Sequence, residues 1–274
     1  MQIRIPRLML AFLVGFVLSG VGYSFQIMLN NPLAEPYILG ISSGAAFGSI
    51  LANILGLYVF MPIFGFGGAL LTLTLVWSLA HLGGFFNNTK LLLSGIIVGM
   101  FFSAAISLLM YFNKNDLGNI INILMGNLGH IFSHREWNYF LVVFAVSLAL
   151  MLYLFMLSRK LIILTTGDLI ASSLGIDVKK LRKKIFVISS LLTGITVAYS
   201  GIIGFIGLIV PHIVRMISGH NKQTTIIYSA FLGALLLILC DFIAQHIAVI
   251  EIPVGIITAF LGCPFFIFIM VKSR

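Results

Sequence analysis

Charge is scarce in this sequence: only 8% of its 274 residues are charged, with 7 Asp and Glu against 16 Lys and Arg. A soluble domain of this length needs about a quarter of its residues charged to cover its surface, so water is not the main solvent of this chain. No polar block is long enough to form a soluble domain of its own. Cysteine is almost missing. Cys240 and Cys263 both fall inside apolar stretches without metal-type spacing and read as packing residues, with no redox compartment implied. The phosphate-cradling GxxxxGK[ST] loop and HExxH are both absent, so any ATP must be hydrolysed by another chain and neither motif supports catalysis on a covalent bond.

What the sequence does contain is hydrophobic length. Hydrophobic residues make up 60% of it, in runs near or above the roughly 18 to 20 residues that cross about 30 Å of hydrocarbon. The implied class is all-α, a polytopic transmembrane helical bundle forming a single domain over 1–274. Breaks at charges, Pro and Gly clusters give nine candidate spans, at 8–29, 38–59, 62–84, 91–112, 138–158, 184–201, 203–217, 224–248 and 254–271. The seventh is short and holds Pro211, so a tilt, a kink or an incomplete crossing is expected there. Residues 1–22 imitate a signal peptide, with Arg4 and Arg7 before an apolar core, but the run continues through Leu29 without a small-x-small cleavage site and reads as a span.

The net charge of +9 does not point to nucleic acid. Its basic residues gather in short loops instead of on an amphipathic surface with aromatic platforms. They set topology. Placing the segment between the fifth and sixth spans inside puts Arg159, Lys160, Lys179, Lys180, Arg182, Lys183 and Lys184 on the cytoplasmic side, with Lys90, Lys222, Lys272 and Arg274. Lys114 and Arg135 are then outside. The one conflict is Arg4 and Arg7, which this count also leaves outside.

Many of the 27 glycines lie in small-residue patches such as Gly40, Ser42, Ser43, Gly44, Ala45, Ala46 and Gly48, the composition that close helix packing in lipid requires. A weak internal echo links Ser19-Gly20 and Pro32 to Ser200-Gly201 and Pro211, in the manner of transporter repeats.

The most informative polar segment is LIILTTGDLIASSLGIDVKKLRKK at 161–184. Gly167 and Asp168 can cap a short helix, Gly175 can end it in a left-handed turn, and Asp177 can cap a second helix through Arg182. Such a pair, with Ala171, Ser172 and Ser173 as a small-residue face, suits docking into a groove on a partner. An ordinary basic interfacial loop is the plainer alternative. Elsewhere, Asp241 sits in an apolar span, where an ionised carboxylate costs roughly 2.5 to 3.5 kcal/mol on the insertion scale, so it requires a partner or water. A proton-coupled secondary transporter would use it as a relay. His130 and His134 stand four apart near Glu136, a metal-ligand spacing if helical, although solvated loop histidines are the commoner case.

Asp168 to Gly175 resembles the acidic-Ala-x-x-x-Gly coupling loop of ABC importer permeases, in the version found in the iron-chelate, haem and cobalamin permease family. Other blocks match that family in order: IRIPR at 3–7, NPLAEPYILGISSGAA at 31–46, LLLSGI at 91–96, MG at 125–126, SGIIGFIGLIVPHIVR at 200–215 and IPVGIITAFLGCPFF at 252–266. The match covers nearly the whole chain. It implies a type II importer permease in a bacterial or archaeal cytoplasmic membrane, paired with a second copy or a paralogue. Two ATPase subunits would bind ATP and Mg, so this chain needs no cofactor. An extracytoplasmic substrate-binding protein would dock outside, and the movement would be alternating access of an iron-siderophore, haem or cobalamin-type chelate. By the same resemblance Asp168, Ala171, Ser172, Gly175 and Asp177 contact the ATPase, and Arg4 and Arg7 pair with acidic residues of the binding protein. Asp241, Pro211 and His212 are structural or line the pathway, His212 and Arg215 through helix-end hydrogen bonding and snorkelling. A further family arginine is replaced here by Gln245. Ten spans with both ends inside are usual in this family. The shortfall falls ahead of Arg4, where a misassigned start, a fragment or a natural short form would each account for it.

Overall fold

The computed structural model describes residues 4–81, 88–129, 132–219, 222–248 and 250–272. Among these the chain is helical without strands. Its helices are α1 (Arg4–Met28), α2 (Ile41–Ile54), α3 (Met61–Ala80), α4 (Asn88–Phe112), α5 (Leu117–Met125), α6 (His134–Met156), α7 (Ser158–Leu164), α8 (Asp168–Ser173), α9 (Val178–Ser200), α10 (Ile206–Ser218), α11 (Thr225–His246) and α12 (Val254–Lys272). The nine expected spans fall on α1, α2, α3, α4, α6, α9, α10, α11 and α12. Helices α5 and α7 were not foreseen; both are too short to give a spanning signal.

Helix α1 is the axis of the bundle. Leu10, Leu13, Val14, Val17, Val21 and Phe25 are all buried, and α11 runs antiparallel beside it. The two backbones meet because both helices present small residues at the seam. A Cβ on Gly15 would strike the carbonyl of Gly233, and one on Gly233 would strike Ser19. Lipid tails are as apolar as leucine, so close backbone packing of this kind drives association in a membrane. Outward faces carry large exposed apolar residues, among them Met100, Phe101 and Phe112 on α4 and Val142 and Leu152 on α6.

Helix α9 differs from the separate 177–182 helix and 184–201 span that the sequence suggests. It is one rod of 23 residues, because nothing between Lys183 and Ile185 breaks the helical path and the basic first turns simply lead into an apolar continuation. Three of its buried hydroxyls bond back to the helix itself: Thr193 donates to the carbonyl of Ser189, Thr196 to that of Thr193 and Ser200 to that of Thr196.

Two spans are incomplete. At 14 and 13 residues, α2 and α10 each rise only about 20 Å, so 38–59 is not the full crossing expected. The remainder is non-helical chain at 29–40 and 201–205. The first of these lies beside helices, not beyond them: Pro36 meets Gly207, which packs against Leu18 and Gly22 of α1, roughly 22 Å along the axis from Arg7.

Candidate functional site

Three constellations concentrate the chemistry of the bundle, one at each end and one where the two broken stretches meet.

At the Arg7 end, Arg7 donates through Nε and Nη2 to both oxygens of Asp241 at 3.0–3.2 Å, and through Nη1 to Glu251 at 2.8 Å. Gln245 completes the carboxylate, donating to its Oδ2 at 2.7 Å. Asp241 is 2% exposed, so the partner that the sequence required exists, 234 residues away in the chain. That partner is a guanidinium, which α1–α11 packing delivers. Arg4 is exposed, whereas the Arg7 side chain is only 11% exposed. The two arginines expected to share one docking role therefore stand in different settings.

The crossing of 29–40 with 201–205 satisfies backbone groups that no helix supplies. Tyr37 Oη donates to the carbonyl of Ile203 and accepts from its N–H. A carboxylate oxygen of Glu35 accepts from the N–H of Phe205 at 2.7 Å, which caps the start of α10. Phe205 has φ of 69°, a left-handed conformation that is costly for an aromatic residue; its ring lies where a side chain on Gly262 would stand. Pro211 cannot donate to the carbonyl of Gly207, four residues before it. Gln26 of α1 donates to that carbonyl instead, at 3.1 Å. His212, beside it, sets its ring edge-on to Phe265 of α12.

At the opposite end, α8 closes as expected in a left-handed glycine, Gly175 with φ of 79°. The N–H of Ile176 bonds to the carbonyl of Ala171 and that of Gly175 to Ser172, the Schellman pattern. Asp177 caps α9 by accepting from the N–H of Lys180 at 3.0 Å. The exposed face of α8 is not the Ala171, Ser172 and Ser173 set read from sequence. Ala171 is fully buried because it is the one apolar side chain of α8 turned to the core. Exposed beside Ser172 and Ser173 are Leu169, at 89%, with Ile170 and Leu174. Both oxygens of Asp168 are taken by Arg182, Nη1 and Nη2 each at 2.8 Å.

His130 lies outside the described residues. The helix that would give the His130–His134 spacing begins only at His134, and Glu136 is engaged in a capping box with Ser133. Among the described residues no cluster of three His, Cys, Asp or Glu groups forms.

Sequence reasoning missed Gln26, Glu35, Tyr37, Arg182, Glu251 and the apolar Leu169. Only Gln26 carried a local signal, a lone amide in an apolar run. The rest are ordinary residues until the fold brings their partners.

The profile of the FecCD transport family matches residues 1–272. The hemin transport system permease protein of Yersinia pestis is 36% identical over 284 residues, covering 100% of this chain and 82% of its own. The molybdate import system permease protein of Haemophilus influenzae is 35% identical over 280 residues, covering 100% of this chain and 81% of its own. A solved metal-chelate type ABC transporter in an inward-facing conformation superposes with a TM-score of 0.86 at 34% identity, over 99% of this chain and 86% of that one.

Proposed function

This chain belongs to the FecCD transport family and is a membrane-embedded ABC transporter permease, a transport subunit and not an enzyme; on that premise we propose that it imports a metal chelate of the iron-siderophore or haem type. The cycle proposed is alternating access. A loaded binding protein docks at the Arg7 end, ATP closes two partner ATPases against the α8 end, and the bundle, paired with a second copy or a paralogue, opens toward the opposite side. A cytoplasmic membrane of a bacterium or archaeon is the setting this reading requires.

The observation that carries the proposal is α8 itself. It is a short helix between glycines of positive φ, showing Leu169, Ile170 and Leu174 to the exterior beside the basic first turns of α9. Apolar anchors rimmed by charge suit a groove on another protein. The rival, a proton-coupled carrier with Asp241 as relay, has less support. A relay needs access for its proton, whereas Asp241 is packed at 2% exposure under three hydrogen bonds from Arg7 and one from Gln245. Chelate cargo is favoured by the FecCD match and by the metal-chelate transporter of the same fold, and iron chelates are preferred to cobalamin because they are the commoner cargo in the family.

Purification of the tagged chain from its native membranes should bring down an ATPase and retain a binding protein. Uptake of ferric siderophore or haemin should survive an uncoupler while ATP is maintained. No co-purified ATPase, or uptake that collapses with the proton gradient alone, overturns the proposal.

A further inference from the structure

We infer that the Asp168–Arg182 ion pair is a transmission joint inside this chain, fastening α8 to α9 so that a push on α8 turns or shifts the α9 rod. The inference rests on the permease reading above but assigns Asp168 differently, to a partner within its own chain and not to the ATPase.

Geometry carries it. Helix α8 has six residues, too few to hold a helix alone, and it is entered and left through Gly167 and Gly175, both with positive φ and with open space around them. A cleft of about 370 Å³ bordered by Asp168, Ser172, Ile176, Asp177 and Arg182 separates α8 from the first turns of α9. The side-chain bond that spans this cleft is the fork-on-fork pair of Asp168 and Arg182. Two parallel N–H···O bonds fix both distance and direction, and Arg182 is held at 12% side-chain exposure. Its own helix then runs unbroken to Ser200. There the backbone of 200–203 bonds to 123–127, beside α5, and Ile203 meets Tyr37. One stiff element thus joins the α8 docking face to the crossing of the two broken segments. Arg182 is a positioning residue in this scheme.

The test uses the complex of permease, ATPase and binding protein in proteoliposomes, reading ATP hydrolysis with and without the binding protein. With Arg182→Gln, the complex should assemble at normal stoichiometry and keep its basal hydrolysis. Stimulation by the binding protein should fall roughly fivefold or more, the scale of a lost coupling between sites. Exchanging the charges, Asp168→Arg with Arg182→Asp, should restore at least half of it. Should Arg182→Gln fail to assemble, Asp168→Asn at the more exposed position decides: reduced stimulation in an assembled complex supports the joint, and lost assembly overturns it in favour of a purely structural pair. Unchanged stimulation in Arg182→Gln, or a charge exchange no better than either single change, also overturns it. A wild-type chain that retains no ATPase would instead sink the permease reading, so the two failures are distinguishable.

Discussion

Individual charges in this protein are committed to partners in their own chain at both ends. Arg7 gives its donors to Asp241 and Glu251, and Asp168 gives its oxygens to Arg182. Breaking a buried pair on one side leaves the other charge stranded, which costs about 3 kcal/mol at the lower end of the usual range. Arg7→Met, which strands the buried Asp241 carboxylate, should therefore lower the thermal midpoint of the detergent-solubilised protein, and adding Asp241→Leu should recover most of the loss. Asp177 makes a prediction of opposite character. The Lys180 N–H, followed by the Lys180 ammonium, holds its carboxyl below the ordinary Asp value. A depressed folded value means that the cap is fully present above the unfolded-state value of about 3.9 and is lost as pH falls through the lower folded one. Protection of the Lys180 amide from exchange, relative to its intrinsic rate, should fall over that acid window, and Asp177→Asn, still a good cap, should flatten the dependence.

Among the elements, α10 owes its start to other segments. Proline at 211 frees the Gly207 carbonyl, and Gln26 takes it. Gln26→Leu should then destabilise the protein by about 1 to 3 kcal/mol, the cost of a buried unsatisfied group. Adding Pro211→Ala, which restores an N–H able to reach Gly207, should shrink that cost; a thermal-unfolding double-mutant cycle checks it. Helix α8 depends in the same way on its final glycine. Gly175→Val places a branched side chain at φ of 79°, where only glycine is unstrained. ATP hydrolysis in that variant should no longer be matched by uptake, measured as both rates in one preparation of proteoliposomes.

For the whole molecule, the positive-inside count predicts an orientation with the Arg7 end outside and the α8 end inside. In a Cys263→Ser background, an impermeant maleimide should label Asn115→Cys from outside intact cells and Ser173→Cys only in inverted vesicles; the reverse pattern would refute the orientation. Membrane residence, the helical class and the family were legible in the sequence because each depends on local composition, run length or blocks of adjacent residues. The left-handed turn at Gly175, the cap at Asp177 and the shortness of the Pro211 span were legible for the same reason, since turn and cap chemistry acts within a few residues. Pairing was not. Arg7 finds Asp241 across 234 residues and Glu35 finds Phe205 across 170. Which residues meet was decided where glycines let α1 touch α11 and α10 backbone to backbone. A charge or an orphan N–H in a low-dielectric interior must be matched, but only the crossing of the helices determines by whom.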